Sequence, residues 1–212
     1  MMNPYRSNSR EHQDFFILSV LDKKQNGTYV EIGSGPPIHS SNTYLLETSF
    51  WWRGVGIEWG EWYVQEHQKS RRNPCLRIDA TTANYSEIFE KYNLGPHIDF
   101  LQLDIDPPDN TFKALNCIDF NKYSFSVITY EHDFYNGGAS ERTESRTILE
   151  SYGYTRVITD VQSDDLVFED WYVNEKYMPN DNWKEFIGSN IKLNPGNTDP
   201  RYVELFNKFL SI

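Results

Sequence analysis

Short β-rich segments alternate along this chain with segments of helical spacing, and this alternation constrains the fold more than any other feature. The strand-like runs cover 28–32, 54–58, 75–79, 98–106, 125–131 and 155–161. The helix-like segments cover 41–52, 61–72, 84–94, 111–120 and 140–154. Strands joined by helices of this length pack as a parallel sheet with helices on both faces. The pattern therefore predicts an α/β fold with a Rossmann-like, mostly parallel central sheet.

The run 164–173 breaks the alternation, because it follows the strand 155–161 with no room for a helix between them. We expect it to pair antiparallel, as the second half of a hairpin. With 212 residues, the chain suits one main domain, which we place at 1–173 with a polar N-terminal arm at 1–13. The remaining residues, 174–212, are rich in Pro and Asn and end in a short helix. We interpret this extension as a lid, a packing arm or a contact in a homodimer.

The net charge of −11 opposes broad binding to a phosphate backbone, so we expect no nucleic-acid partner. The adjacent basic pair Arg71 and Arg72 is interpreted as a solvated turn. The N-terminal residues contain no apolar signal core, and no apolar run approaches the length of a membrane span. These features predict a cytoplasmic protein without membrane contact. Cys75 and Cys117 show no metal spacing and are expected to be reduced thiols in the core.

Five acidic residues lie at or near the carboxyl ends of the predicted strands. They are Glu31, Glu58, Asp79, Asp104 and Glu131. In an open α/β sheet, ligands bind at this edge. Each acid taken singly is as well explained as a strand-end or cap residue, but five converging carboxylates would repel a pyrophosphate and attract a cation.

The loop after the first strand reads Gly33-Ser34-Gly35-Pro36-Pro37. A dinucleotide fingerprint needs a third glycine and free amides for the phosphates, and here the third glycine is absent and two prolines remove amide donors. The two glycines still allow a ligand to pass close to the backbone. The loop therefore favours a ligand without phosphates.

Two of the acids suit the adenosine part of such a ligand. Glu58, 25 residues after Gly33, is placed to accept hydrogen bonds from ribose hydroxyls. Asp79, at the next strand end, suits an adenine amino group. A ligand with adenosine, no phosphate and a positive centre is S-adenosylmethionine, and we take it as the predicted cofactor.

The ordered motifs "YVEIGSGPPIHSSNTYLLE", "WRGVGIEW", "CLRIDAT", "IDFLQLDID", "ITYEHDFY" and "LESYGYTRV" resemble the FkbM-like family of class I methyltransferases. The resemblance covers roughly residues 14–173. It implies a seven-stranded sheet of order 3-2-1-4-5-7-6 with the seventh strand antiparallel. It also implies methyl transfer, usually to oxygen and often on sugars or natural products. We therefore expect a small hydroxylated acceptor, such as a sugar.

Position by position, the resemblance implies a set of cofactor-binding residues. The set is Glu31, Gly33, Ser34, Gly35, Asn42, Glu58, Trp59, Asp79, Ala80 and Asp104. The chain departs from the family at Pro36 and Pro37, where many relatives have an acid and a glycine. "LDIDPP" also replaces the more usual "LDIEG".

Methyl transfer to an alcohol needs an aligned nucleophile. It also needs a base that accepts the hydroxyl proton, or a metal that lowers the pKa of the hydroxyl. His132, Asp133 and Asp106 are the candidate catalytic residues, with His132 as the general base. Asp104, Glu131 and Asp133 are the candidate ligands of a divalent cation such as Mg²⁺. Alternatively, His132 and Asp133 only order their loop.

Two alternatives to this enzyme stay open. A nicotinamide-dependent oxidoreductase is disfavoured by the missing third glycine and by Glu31 beside the loop. A non-catalytic binding or assembly module would retain the fold with a decayed loop at Pro36 and Pro37. The tryptophans around the second strand are interpreted as core residues before sugar-stacking platforms.

Overall fold

A computed structural model describes residues 3–211 of the chain. Its centre is an eight-stranded sheet of order β3-β2-β1-β4-β5-β7-β6-β8. The strands are β1 (Thr28–Ile32), β2 (Arg53–Glu58), β3 (Cys75–Arg77), β4 (His97–Leu103), β5 (Ser124–Glu131), β6 (Thr155–Ser163), β7 (Leu166–Val173) and β8 (Gly188–Ser189). The predicted order of the first seven strands is confirmed, with β7 antiparallel to both β5 and β6. The two-residue β8, parallel to β6, is an addition that no local pattern indicates.

Seven α-helices accompany the sheet in the described part of the chain. They are α1 (Gln13–Val20), α2 (Tyr44–Phe50), α3 (Glu61–Ser70), α4 (Tyr85–Lys91), α5 (Pro108–Asn116), α6 (Ala139–Ser151) and α7 (Pro200–Leu210). At the start of α4, the Asn84 side chain accepts a hydrogen bond from the Glu87 amide at 3.3 Å, as a cap should. After α6, Gly153 adopts a left-handed φ of 84° and ends the helix. None of these helices is long and apolar enough to cross a membrane.

Two apolar clusters pack on the opposite faces of the sheet. Helices α1, α2 and α7 cover one face, and α4, α5 and α6 cover the other. Because both faces are covered, nearly every residue of β1, β4 and β5 is buried. The carboxyl ends of the central strands consequently emerge together at one edge of a rigid sheet.

The two ends of the chain are part of this core. The segment interpreted as a polar arm leads into α1, whose residues are all buried. Phe206 on α7 packs edge-on against Phe15 on α1, with ring centroids 5.6 Å apart. Trp183 and Phe186 add to the same cluster. The extension from 174 onward is therefore a packing element, while a contact between two copies stays a prediction.

Several local expectations are wrong. Strand β4 ends at Leu103, three residues earlier than predicted, because Pro107 and Pro108 begin the turn into α5. Cys117 is exposed rather than buried. Trp51, Trp59 and Trp62 are more than 60% exposed, so only Trp52 of the tryptophans around β2 is a core residue.

Candidate active site

A cavity of about 510 Å³ lies at the carboxyl ends of β1, β2, β3 and β4. Seven of the ten predicted cofactor residues line it, namely Gly33, Gly35, Glu58, Trp59, Asp79, Ala80 and Asp104. Asp106, predicted as catalytic, lines it as well. The strand register explains this convergence, because Ile32 pairs with both Ile57 and Leu103. The residues that follow these three positions, Gly33, Glu58 and Asp104, therefore reach the same level of the sheet edge.

Gly33 is required by the close approach of two strand ends. Its φ is +80°, and a Cβ there would lie 1.6 Å from the backbone oxygen of Asp104. Gly35 also has a positive φ, of 52°, but a Cβ there would meet nothing within 4 Å. The first glycine thus closes the pocket floor, and the second leaves open space above it.

Glu58 organises the pocket wall. One carboxylate oxygen accepts a hydrogen bond from the Gly35 amide at 2.8 Å, and the other accepts one from the Gly60 amide at 2.6 Å. Asp79 accepts hydrogen bonds from the Thr81 hydroxyl and amide at 2.7 and 2.9 Å, which lower the Asp79 pKa. Each Glu58 oxygen keeps a second lone pair, and both Thr81 bonds go to Asp79 Oδ1 and leave Oδ2, so both carboxylates can still accept hydrogen bonds from a ligand.

Three predicted cofactor residues do not line the pocket, and these assignments are corrected. Glu31 is buried beneath the loop, where its carboxylate accepts a hydrogen bond from the Thr43 hydroxyl at 2.9 Å. The Ser34 hydroxyl donates to the Glu31 backbone oxygen at 3.0 Å. The side-chain amide of Asn42 donates a hydrogen bond to the side-chain oxygen of Gln102 at 2.7 Å. These hydrogen bonds support the loop, and none of the three residues lines the cavity.

Arg71, interpreted as part of a solvated turn, is the residue that sequence reasoning missed. Its side chain is only 1% exposed and pairs with Glu47 at 2.8 Å. It donates to the Pro37 backbone oxygen at 2.9 Å and to the Ser41 hydroxyl at 3.2 Å. A buried arginine therefore fixes the loop in which two prolines have removed amide donors. No local signal reveals this role, since the partners lie more than twenty positions away.

Four acidic residues extend from the pocket toward β5, and we call them the acidic group: Asp104, Asp106, Glu131 and Asp133. Leu103 pairs with Tyr130, so the following residues, Asp104 and Glu131, are neighbours. Burial and the adjacent Asp104 charge raise the Glu131 pKa well above its usual range. Burial, together with the nearby charges of Asp106 and Asp104, also raises the Asp133 pKa. Asp133 is 3% exposed, and its buried Oδ1 has no hydrogen-bond partner among the described residues.

His132 does not reach the pocket, and its prediction as a general base is corrected. The side chain is fully buried, and Nδ1 accepts a hydrogen bond from the Phe134 amide at 3.2 Å. Nε2 faces the carboxylates of Asp160 and Asp170 at 3.8 and 3.7 Å. His132 therefore orders the turn after β5, as the alternative interpretation held.

His132, Asp160 and Asp170 are also the one described trio whose potential metal-ligating atoms all lie within 4.8 Å. Arg146 binds both carboxylates at 2.6 Å, and Arg142 also pairs with Asp160. These arginines supply the positive charge that a cation would bring, so the trio is an internal ion-pair network. The predicted Mg²⁺ ligands Asp104, Glu131 and Asp133 do not form such a cluster among the described residues, so a Mg²⁺ site there stays a prediction.

The fold has clear relatives among solved structures, although no protein-family model and no curated protein matches the chain. A proposed rRNA methylase from Clostridium thermocellum superimposes with a TM-score of 0.56 and 14% identity, covering 80% of this chain and 97% of that one. An rRNA methylase from Streptococcus thermophilus gives 0.50 and 11%, covering 76% and 93%. A human methyltransferase 10 domain containing protein gives 0.51 and 11%, covering 82% and 85%. Together with the strand order, these likenesses show that the chain has the Rossmann-like fold of class I S-adenosylmethionine-dependent methyltransferases.

Proposed function

We propose that this protein is an S-adenosylmethionine-dependent O-methyltransferase that acts on a hydroxyl of a sugar or another small molecule. One observation carries the proposal. A class I methyltransferase fold presents, at the ligand-binding edge of its sheet, a cavity lined by Gly33, Glu58, Asp79 and Asp104. A cavity of about 510 Å³ falls within the usual range for small-molecule sites.

Each part of the cofactor has a matching group in the cavity. Glu58 would accept hydrogen bonds from the ribose hydroxyls, and Asp79 with Ala80 would contact adenine. The open space above Gly35 would admit the part of the ligand that passes close to the protein backbone. Asp104 would lie near the methionine part of the cofactor, where its carboxylate would favour the positively charged sulfonium.

Transfer to a hydroxyl also requires a proton acceptor. Asp106 lines the cavity, and Asp133 has a raised pKa and an unpartnered oxygen, so these two carboxyls are the candidates for the base. If Mg²⁺ is required, Asp104, Glu131 and Asp133 would hold it through oxygen ligands. The bound ion would lower the pKa of the acceptor hydroxyl.

The proposal that the methyl group is transferred to an oxygen atom rests on the resemblance to the FkbM-like family. Two of the structural relatives are described as rRNA methylases, which makes RNA a second acceptor class to test. The net charge of −11 favours a small acceptor over an RNA backbone.

Calorimetric titration with S-adenosylhomocysteine, with and without MgCl₂, tests the proposal. We expect micromolar binding that weakens at least about tenfold in Glu58→Gln, because the variant loses charged hydrogen bonds at the ribose position. Glu204→Gln, an exposed change on α7, is the matched control and should bind like the wild type. A change in affinity with MgCl₂ would support the metal.

The alternatives give different results in the same experiment. A non-catalytic module would show no binding of S-adenosylhomocysteine at any Mg²⁺ concentration. A nicotinamide-dependent oxidoreductase would bind NAD⁺ and not S-adenosylhomocysteine. Either result would contradict the proposed function.

A further inference from the structure

A second cavity, of about 430 Å³, lies between three parts of the chain that are distant in sequence. The N-terminal segment contributes Arg6 and Arg10, the loop after β1 contributes His39, and the C-terminal extension contributes Pro195. We call this cavity the basic groove. It lies outside the cofactor cavity and has no residue in common with it.

The charge of the basic groove is opposite to that of the molecule. No acidic residue lines it, although the chain as a whole carries a net charge of −11. Arg6 is exposed and forms no ion pair with any residue in the described range 3–211. Arg10 is also exposed, with a single ion-pair partner, Glu11, at 3.2 Å. Two exposed guanidinium groups beside an imidazole offer charged hydrogen-bond donors to an anion.

The backbone of the basic groove is held in place by buried hydrogen bonds. The carboxylate of Asp14, which is fully buried, accepts from the Ser7 hydroxyl at 2.6 Å and from the Asn8 amide at 2.8 Å. The Asn8 side chain then donates to the Ile38 backbone oxygen at 3.2 Å. The segment carrying the two arginines is therefore attached to the loop that also borders the cofactor cavity.

The basic groove and the cofactor cavity are both lined by the loop after β1. Gly35 lines the cofactor cavity and His39, four residues later in the same loop, lines the groove. Asn8, which lies between the two arginines in sequence, is hydrogen-bonded to the backbone oxygen of Ile38 in this loop at 3.2 Å. A small molecule in the groove could therefore extend its other end toward the cofactor cavity.

We propose that the basic groove binds an anionic group, a phosphate or a carboxylate, carried by the small methyl acceptor. The proposal rests on the proposed function and narrows its substrate class from neutral hydroxylated molecules to negatively charged ones. It also assigns a role to the two ends of the chain. They form the groove that selects the acceptor, while the sheet edge holds the cofactor.

Binding of simple anions to the full chain tests the proposal. The probes are pyrophosphate for a phosphate group and citrate for a carboxylate, with glucose as the neutral control, each measured by calorimetry at low salt. We expect one or both anions to bind and glucose not to. Affinity should fall about tenfold or more in Arg6→Gln/Arg10→Gln, since both guanidinium donors are lost.

Two further variants make the result specific. Arg53→Gln/Lys91→Gln removes the same charge from the exposed start of β2 and the end of α4, away from the groove, and should leave anion affinity within about twofold. Arg6→Gln alone should weaken binding about threefold, and it keeps the Arg10–Glu11 pair if the double variant fails to fold. Equal anion affinity in the wild type and the groove variants, or no binding to the wild type, would overturn the proposal.

A parallel titration with S-adenosylhomocysteine separates this proposal from the function on which it rests. The groove variants should bind S-adenosylhomocysteine like the wild type, because neither arginine lines the cofactor cavity. Loss of anion binding with cofactor binding intact supports the groove. Absence of cofactor binding in the wild type contradicts the proposed function, whatever the anions do. Binding of a short single-stranded RNA more tightly than pyrophosphate, through the same arginines, would overturn the assignment to a small acceptor.

Discussion

At the scale of single residues, the environment of each side chain decides which role it plays. Gly33 and Gly35 have the same residue type and similar φ angles, yet only Gly33 lies against another backbone segment. Glu31 and Glu58 were both predicted to touch the cofactor, yet only Glu58 lines the cavity. These differences follow from what surrounds each residue in space.

Gly33→Ala should destabilise the fold and remove cofactor binding, because the added Cβ would meet the Asp104 backbone oxygen. We expect a loss of more than about 2 kcal/mol in the free energy of unfolding, measured with urea. Gly95→Ala is the matched control, since Gly95 has a φ of +75° but open space at its Cβ. The control should cost about 1 kcal/mol, from the left-handed backbone alone. Equal losses in the two variants would contradict a steric role for Gly33.

Glu31 should make stability depend on pH. Burial raises its pKa from 4.5 to about 7, so the folded state holds the proton more tightly than the unfolded state. The resulting stability is fully present below pH 4.5 and is lost as the pH rises through about 7, by up to roughly 3 kcal/mol. Glu31→Gln should flatten the unfolding free energy between pH 5 and 8, as followed by urea titration. Glu204→Gln should retain the wild-type slope, and identical slopes in all three proteins would contradict this origin.

At the scale of elements, arginines hold both the loop after β1 and the turn after β5: Arg71, which is buried, and Arg146, which is partly buried. Arg71 fixes the first through Pro37 and Ser41. Arg146 fixes the second by binding Asp160 and Asp170, which face His132. Each loop lies at the carboxyl edge of the sheet, and the arginine that holds it does not line the cavity there.

Arg71→Gln should destabilise the protein by about 3 to 5 kcal/mol, because Glu47 would be left buried without its partner. It should also weaken binding of S-adenosylhomocysteine, since the 33–43 loop loses its anchor. Arg72→Gln is the control, because the Arg72 side chain is 51% exposed, its Nε lies 3.8 Å from the Glu47 carboxylate and its guanidinium donates to the Glu47 backbone oxygen. That variant should cost less than about 1 kcal/mol by urea unfolding. A similar cost at both positions would argue against Arg71 as the specific anchor.

At the scale of the whole molecule, both ends of the chain complete one face of the core. Helices α1 and α7 pack together, and the extension adds Trp183 and Phe186 to the same cluster. The extension is thus stabilising for the sheet and cannot detach without exposing this cluster. Its outer part also borders the basic groove through Pro195.

Phe206→Ala should lower the free energy of unfolding of the entire chain by about 3 to 5 kcal/mol, because it leaves a cavity beside Phe15 and Phe186. Val203→Ala on the same helix is the control, since Val203 is 43% exposed and should cost less than about 1 kcal/mol. Urea unfolding should remain a single transition in both variants. A separate early transition for the extension would contradict its place in the shared core.

The sequence by itself determined the element types and a mostly parallel sheet, its resemblance to a known family implied the strand order, and the two together indicated most residues of the cofactor cavity. Strand and helix periodicities depend only on nearby residues in the sequence. A glycine or an acid at the carboxyl end of a strand indicates a ligand site whatever position the strand takes in the sheet. The two-residue β8 was beyond such patterns, because it depends on its pairing with β6.

Only the tertiary structure decided which charges are buried and what they face. Arg71, His132 and Glu31 are ordinary polar residues in the sequence, and their roles depend on partners distant along the chain. The basic groove likewise exists only where Arg6, His39 and Pro195 meet. The physical reason is that burial and electrostatic pairing are properties of the packed molecule, whereas periodicity and backbone preference are properties of the local chain.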